Sequence, residues 1–148
     1  MRNSSLLATR LCMAILALFV VSCQFKGIKG SGHIVTENRP VTEDFNAVKA
    51  GNGLDVVLEQ ANKTSIIVEA DDNLQKHIST KIENGVLVIS SDCNSFMNAT
   101  KKITVQMPAI ASIEVGSGAN LNSKNTLKSN SISCLIFSLL VCRKAVSK

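Results

Sequence analysis

The chain has 148 residues and a formal net charge of +5, a length that suits one domain. It contains no tryptophan, no tyrosine and only five phenylalanines, and its lysines are scattered along the sequence. Nucleic-acid binding usually combines a clustered basic face with aromatic side chains on which bases stack. The composition therefore argues against nucleic-acid binding, and no nucleic-acid partner is expected.

The first predicted element is a short apolar helix, which we interpret as a lipoprotein signal peptide over residues 1–22. The apolar run Leu11–Val21 follows Arg10, in the order typical of a secretory signal. A helix of this length rises about 16 Å, which is too short for a hydrocarbon core of about 30 Å. The sequence at 20–23 resembles the bacterial lipobox, in which the cysteine is lipidated. This resemblance makes Cys23 the lipidation site, with its acyl chains binding the membrane; an ordinary signal peptide is the alternative.

A polar, glycine-rich segment follows the signal peptide. Residues 23–32 contain Gly27, Gly30 and Gly32, and a composition of this kind predicts a flexible tether between membrane and domain.

From residue 33 to about residue 132, apolar residues recur with a period of two. This pattern predicts strands with one buried face, centred on residues 54–59, 65–70, 78–83, 86–91 and 102–107. Asn84-Gly85 tolerates positive φ angles and predicts a type I′ hairpin between two of these strands. Pro108 is expected to end the strand before it. Residues 71–77 are predicted to form one or two helical turns, capped by Asp71 or Asp72.

An ordered series of segments carries a family resemblance. The segments are Asp44–Val48, Gly51–Gln60, Ile66–Leu74, Ile78–Leu87, Ile103–Pro108 and Ile113–Gly118. Together they resemble the putative auto-transporter adhesin, head GIN domain family of Bacteroidetes envelope proteins, over about residues 30–131. The resemblance implies an all-β fold that forms an incomplete right-handed β-helix, or solenoid, similar to pectin lyases, with short hairpins. It also implies an adhesion role without an established catalytic site.

These interpretations divide the chain into four parts. They are a signal peptide at 1–22, a tether at 23–32, a head GIN-like β domain at 33–133 and an atypical tail at 134–148. The tail begins with the apolar run Cys134–Cys142 and ends with basic residues. Because the alternation is lost there, we interpret the tail as a truncation or frameshift; a genuine buried strand or short helix is the alternative.

No group of residues predicts a catalytic, cofactor or metal site. Asp71 and Asp72 are adjacent at a predicted turn, whereas glycoside hydrolysis needs carboxyls about 5–9.5 Å apart across a cleft. His33 and His77 are the only histidines, and no Cys–His spacing of a zinc site is present. The glycine triplets at 30–32, 51–53 and 116–118 are interpreted as turns. The cysteines are expected to be isolated thiols, with a Cys134–Cys142 bridge as the alternative.

The predicted function is that of a lipid-anchored, non-enzymatic envelope protein that binds a glycan or an envelope-protein ligand. The residues after Cys23 lack the acidic character that marks surface export in some Bacteroidetes lipoproteins. An outer-membrane protein that faces the periplasm is therefore expected. One alternative is a carbohydrate-active enzyme on a β-helix, which would need acidic and basic side chains converging on adjacent rungs. The other is a truncated product without independent function.

Overall fold

A computed structural model describes residues 27–93, 95–128 and 133–136. In this part of the chain the fold is all-β, as predicted, with a single 3-10 turn at Gln75–His77. The strands are β1 Gly27–Lys29, β2 Ile34–Arg39, β3 Ala47–Ala50, β4 Asp55–Gln60, β5 Ser65–Asp71, β6 Ile78–Glu83, β7 Val86–Ser91, β8 Ser95–Met97, β9 Lys101–Met107, β10 Ser112–Val115, β11 Asn120–Ser123 and β12 Ser133–Ile136. The predicted signal helix and Cys23 lie outside the described residues.

The strands form two five-stranded sheets and one small pair. The first sheet has the order β12-β10-β3-β7-β6, and the second has the order β11-β4-β9-β5-β2. The middle of each sheet is parallel, whereas β6, β5 and β2 pair antiparallel with their neighbours. β1 pairs only with β8, in parallel.

The chain crosses from the first sheet to the second three times, from β3 to β4, from β7 to β9 and from β10 to β11. Each crossing runs in the same direction, so the strands that it connects pair in parallel with the corresponding strands of the neighbouring crossing. In a steadily wound solenoid, each repeat stacks on the one before it. Here the first crossing lies between the other two, because the antiparallel strands β5 and β6 bring the chain back past it. The strand order therefore shows two mixed sheets and does not show the predicted right-handed β-helix.

The inner faces of the two sheets share one apolar core. Burial alternates along the strands as the sequence period predicts, most clearly in β4, β5, β7 and β9. The largest fully buried side chains are Leu54, Leu58, Ile66, Leu74, Leu87, Ile89, Ile103 and Met107. Burying a side chain of this size contributes roughly 1.5–3 kcal/mol, so the alternating face supplies the main stabilisation of the fold.

Three two-residue turns place the strands that follow them. Asn84 (φ 52°) and Gly85 (φ 76°) form the predicted hairpin turn, and β6 and β7 pair over the predicted residues. Ser117 and Gly118 also have positive φ angles, as do the residues at 52–53. The last two turns stack, since the Gly53 amide donates to the carbonyl of Ser117 at 3.0 Å.

Residues 27–32 differ from the predicted tether, because they are bonded to the domain. Gly30 follows β1, and a Cβ there would lie 2.7 Å from both the Asn98 carbonyl oxygen and Asp71 Oδ2. The buried Asp71 carboxylate accepts the amides of Gly32 (2.6 Å) and Thr100 (2.7 Å). A glycine is needed at position 30 because the chain passes so close to this carboxylate.

The predicted helical segment is shorter than expected, and it lacks the predicted aspartate cap. The 3-10 turn begins after Leu74, which makes no side-chain capping bond. Asp71 is occupied by the amides of two other segments, so it cannot cap this turn. Among the described residues, no helix has the length and apolar character needed to cross a bilayer.

Two other predictions are settled only in part by the described residues. Pro108 follows the last residue of β9, as expected. The first three residues of the predicted tail belong to β12, which pairs in parallel with β10; the rest of the tail lies outside the description.

Candidate functional site

The outer face of the second sheet carries three cross-strand rows of mostly polar side chains, which we call the ladder face. The register of the sheet aligns these rows across β11, β4, β9, β5 and β2. The first row is Asn120, Asp55, Lys102, Glu69 and Thr36; the second is Asn122, Val57, Thr104, Ile67 and Asn38; the third is Glu59, Gln106 and Ser65. All of them are partly or fully exposed, because their neighbours in each strand face the core.

The first row is held by two ion pairs. Asp55 Oδ2 lies 2.7 Å from the Nζ of Lys101, which precedes Lys102 in β9, and its other oxygen accepts a hydrogen bond from the Asn120 side-chain amide at 2.8 Å. Lys102 Nζ lies 3.1 Å from Glu69 Oε2 in the neighbouring strand. Opposite charges placed across a sheet stabilise the pairing of the strands, and here they also leave little net charge along the row.

The third row is a chain of hydrogen bonds. Glu59 accepts from Gln106 Nε2 at 2.9 Å and from Lys124 Nζ at 3.1 Å. Gln106 Oε1 in turn accepts the Ser65 hydroxyl at 2.7 Å. Hydrogen bonds to the ionised form lower the pKa of Glu59, with that from Gln106 the largest cause. Glu59 is therefore a carboxylate held by its neighbours, which suits it poorly to proton transfer at neutral pH.

The middle row gives the ladder face a small apolar centre. Val57, Thr104 and Ile67 are adjacent across β4, β9 and β5 and are partly exposed. Bonded polar rows flank them on both sides. An apolar centre within a polar rim is the usual composition of a protein-binding surface.

The outer face of the first sheet differs in its charge. Lys49 of β3 pairs with Glu114 of β10 at 2.7 Å. Val88 of β7 lies between Lys49 and Lys81 in the register. Val88 therefore lies in a row between two lysines, and Val86, the other partly exposed valine of this face, lies between Ala47 and Glu83.

A groove of about 440 Å³ opens at the edge of the ladder face. Its apolar lining includes Ile113, Val115 and Leu121, and its polar lining includes the pair of Asp55 and Lys101. Lys101 also lies 6.0 Å from the centroid of the Phe96 ring. Because Asp55 neutralises Lys101, the groove presents no unpaired cation from this pair to a ligand.

The structure separates the two histidines that the sequence singled out. His33 is exposed and lies 3.6 Å from Asp72 Oδ2. His77 is only partly exposed, and its Nδ1 lies 2.9 Å from Asp92 Oδ1. Sequence analysis singles out His77 but does not find its contact with Asp92. The hairpin register could have revealed this contact, because residues just outside a paired hairpin end face each other.

The other predicted site residues have structural roles or fall outside the description. Cys23, the predicted lipidation site, lies outside the described residues. Asp72 is exposed and accepts the Ser31 hydroxyl at 2.5 Å, a bond that is the largest cause of its lowered pKa. In the described residues the glycine triplets form turns or lie beside them.

The comparisons with known proteins agree with this architecture. A family model described as putative auto-transporter adhesin, head GIN domain, matches residues 44–138. None of the curated proteins matches the chain. A solved structure of a putative adhesin from Parabacteroides merdae is 22% identical and has a TM-score of 0.64, covering 75% of this chain and 47% of that one.

Two further solved structures share the fold. A putative lipid binding protein from Parabacteroides distasonis is 21% identical with a TM-score of 0.65, covering 75% of this chain and 49% of that one. A putative adhesin from Bacteroides fragilis is 22% identical with a TM-score of 0.63, covering 74% of this chain and 54% of that one. The chain thus spans about half the length of these structures. Since the family model covers most of the chain, the protein belongs to the putative auto-transporter adhesin, head GIN domain family.

Proposed function

We propose that this protein is a lipid-anchored, non-enzymatic component of the cell envelope whose ladder face binds another envelope protein. The observation that carries the proposal is the ladder face itself, in which two bonded polar rows flank the row of Val57, Thr104 and Ile67. Membership of an adhesin family supports a binding role. The similar structures, which are about 1.4 to 1.6 times as long as this chain, support the fold alone.

The chemistry of the ladder face favours a protein ligand over a glycan. The chain contains no tryptophan or tyrosine, so it has none of the large amphipathic rings with a polar handle that often anchor ligands. Its apolar centre is built from branched aliphatic side chains and a threonine. Paired charges around that centre would contact the polar rim of a partner without leaving a buried charge unpaired.

The same contacts argue against a hydrolytic role for the ladder face. Asp55, Glu59 and Glu69 each accept a bond from a lysine, and Glu59 also accepts one from Gln106. A general acid needs a pKa raised towards the working pH, whereas the pKa of Glu59 is lowered. The acidic and basic side chains that meet here are therefore suited to holding strands together.

In this proposal the protein is anchored by acyl chains on Cys23 and faces the periplasm from the outer membrane. One acyl chain gives only marginal membrane binding, and several chains bind stably. The short distance in sequence from Cys23 to β1 would keep the domain close to the membrane surface.

Photo-crosslinking in intact cells tests the ligand. A photoreactive amino acid replaces Thr104 at the centre of the ladder face; in the control it replaces Val88 on the outer face of the first sheet. Both positions are partly exposed and lie in strands with neighbours on each side. We expect protease-sensitive adducts from position 104 only. Equal adducts from both positions, or none, would reject the ladder face as the binding surface. Protease-resistant adducts would indicate that the ligand is a glycan and not a protein.

Metabolic labelling tests the anchor. We expect palmitate to label the wild-type protein in a globomycin-sensitive manner, Cys23→Ala to abolish the label and Cys12→Ala to retain it. External protease should leave the protein intact until the outer membrane is opened. Labelling that survives Cys23→Ala would overturn the anchor, and cleavage in intact cells would place the domain on the cell surface.

A further inference from the structure

Three side chains of metal-ligating types meet at the open end of the β6–β7 hairpin. The last pair of the hairpin is Ile78 with Ser91, so the residues just beyond it, His77 and Asp92, face each other. The Asp92 amide donates to the His77 carbonyl at 3.3 Å and so continues the hairpin by one bond. Cys93 follows directly, which brings an imidazole, a carboxylate and a thiol together.

The spacing of the three ligand atoms is close to that of a metal centre. His77 Nδ1 lies 2.9 Å from Asp92 Oδ1, and Cys93 Sγ lies 3.4 Å from the same oxygen. All three atoms lie within 4.8 Å of one another. Zinc bonds of about 2.0–2.3 Å in tetrahedral geometry place ligand atoms roughly 3.3–3.6 Å apart. Small side-chain rotations would therefore bring these atoms onto one ion.

We propose that His77, Asp92 and Cys93 form a binding site for a zinc-type divalent cation, with a fourth position open to water. A set of one nitrogen, one oxygen and one sulfur ligand suits Zn²⁺ and its tetrahedral substitute Co²⁺. Cysteine binds metals as the thiolate, so the Cys93 thiol releases its proton to solvent on binding. On binding, His77 takes the tautomer with its proton on Nε2, which frees the Nδ1 lone pair for the ion and gives up the hydrogen bond from Nδ1 to Asp92. No group is oxidised or reduced.

Burial and charge at the site fit this role. Cys93 is 3% exposed, the His77 side chain is 24% exposed and the Asp92 side chain is 70% exposed. The cation can therefore reach the site from the Asp92 side while the sulfur stays out of water. One thiolate and one carboxylate balance its two positive charges, which lowers the cost of holding it there.

A bound ion would join the start of β6 to the end of β7, just beyond the Ile78–Ser91 pair. A ligand that binds only the folded state stabilises that state in proportion to the logarithm of its concentration. Metal binding at this site would thus stabilise the first sheet at the point where the chain leaves β7 for β8.

Cobalt titration of the full chain, reduced and kept under anaerobic conditions, tests the proposal. We expect one equivalent of Co²⁺ to produce thiolate-to-cobalt charge-transfer absorption and the visible bands of a tetrahedral complex. Cys93→Ser should abolish the charge-transfer absorption, although the other four cysteines remain. His77→Gln and Asp92→Asn should each weaken binding at least tenfold, and Zn²⁺ should raise the melting temperature of the wild type more than that of the variants at His77, Asp92 and Cys93.

His33→Gln is the matched control, because His33 also lies beside a carboxylate but has no thiol next to it. Its cobalt spectrum and affinity should equal those of the wild type. The proposal fails if the charge-transfer absorption is missing, if it survives Cys93→Ser or if His77→Gln leaves the affinity unchanged. Far-ultraviolet circular dichroism checks folding; should Cys93→Ser unfold, the variants at His77 and Asp92, which are not buried, decide the question.

Discussion

At the residue scale, Asp71 joins segments that are distant in the sequence. Its carboxylate accepts amides from Gly32 and Thr100, and its own amide donates to the Thr100 carbonyl at 3.2 Å. The residue is 1% exposed, so water cannot replace these bonds. Asp72, its exposed neighbour, also contacts the distant segment at Ser31 and His33, but its side-chain bonds to Ser31, Asn73 and His33 are open to water. Two adjacent aspartates that look equivalent in the sequence therefore have unequal importance for the fold.

We predict that Asp71→Asn destabilises the protein. The asparagine has one acceptor oxygen, so one of the two amides loses its partner, and an unsatisfied buried group costs about 1–3 kcal/mol. Urea unfolding measures the loss. Asp72→Asn is the control and is expected to lower the free energy of unfolding much less than Asp71→Asn does, because its bonds are open to water. Equal effects of the two substitutions would contradict the role given to Asp71.

At the element scale, tight turns with positive φ angles fix the strand register. The turn of Asn84 and Gly85 sets the pairing of β6 with β7, in which Ile82 lies opposite Leu87. A one-residue shift would move the apolar residues of β7 to the solvent face. The turn at Ser117 and Gly118 has a different role, because it connects β10 of the first sheet to β11 of the second and so forms a corner between the sheets.

We predict that Gly85→Ala lowers the free energy of unfolding by about 1–2 kcal/mol, because an L-residue with a Cβ is strained at its φ of 76°. Gly51→Ala is the matched control. Gly51 does not have a positive φ, and a Cβ added there meets no atom within 4 Å. Denaturant midpoints should place this variant close to the wild type or slightly above it. A Gly85→Ala variant as stable as Gly51→Ala would show that the turn does not control the register.

Strand prediction succeeded for the five strands whose alternation is clearest. The predicted limits of β6 and β7 agree with the structure, and those of β4, β5 and β9 differ by one residue at one end or both. β2, β3, β10 and β11 were not predicted individually, and β1 and β8 were missed because strands of three residues are too short to show alternation. β1 and β8 are strands because they pair with each other, and neither segment alone carries a pattern that predicts this pairing.

At the scale of the whole molecule, carboxylates that are hydrogen-bonded in the folded state link stability to pH. The Gln106 bond is the largest cause of the lowered pKa of Glu59, and the Ser31 bond is the largest cause of that of Asp72. Their ordinary values are 4.5 and 3.8. The folded state therefore binds protons at these groups more weakly than the unfolded state does.

We predict that the stabilisation from these two groups is complete above their ordinary pKa values and is lost as pH falls through the lowered values of the folded state. Urea midpoints measured at a series of pH values should fall in that acidic range. The double variant Glu59→Gln and Asp72→Asn should show a shallower fall. A double variant with the same acid dependence as the wild type would assign the effect to other groups.

The ladder face could be predicted only in part from the sequence. Alternation shows that Glu59 and Gln106 point away from the core, but it does not show that β4 and β9 are neighbours. The two residues are 47 positions apart and meet only because the first crossing lies between the other two. The contact of His77 with Asp92 is different, since it follows from a hairpin whose turn is visible in the sequence.

The short pairing of β1 with β8 also determines how the molecule responds to tension. A pull on the chain before Gly27 loads this three-residue pair, and then the hydrogen bond from the Gly32 amide to Asp71, before it loads either large sheet. Because β1 belongs to neither sheet, drawing it away breaks no strand pairing of the two large sheets, although it removes the packing of Ile28 against the core. Six residues, 27–32, would then span up to about 20 Å at roughly 3.3–3.6 Å each. Residues 27–32 are thus expected to detach first under load, before either large sheet opens.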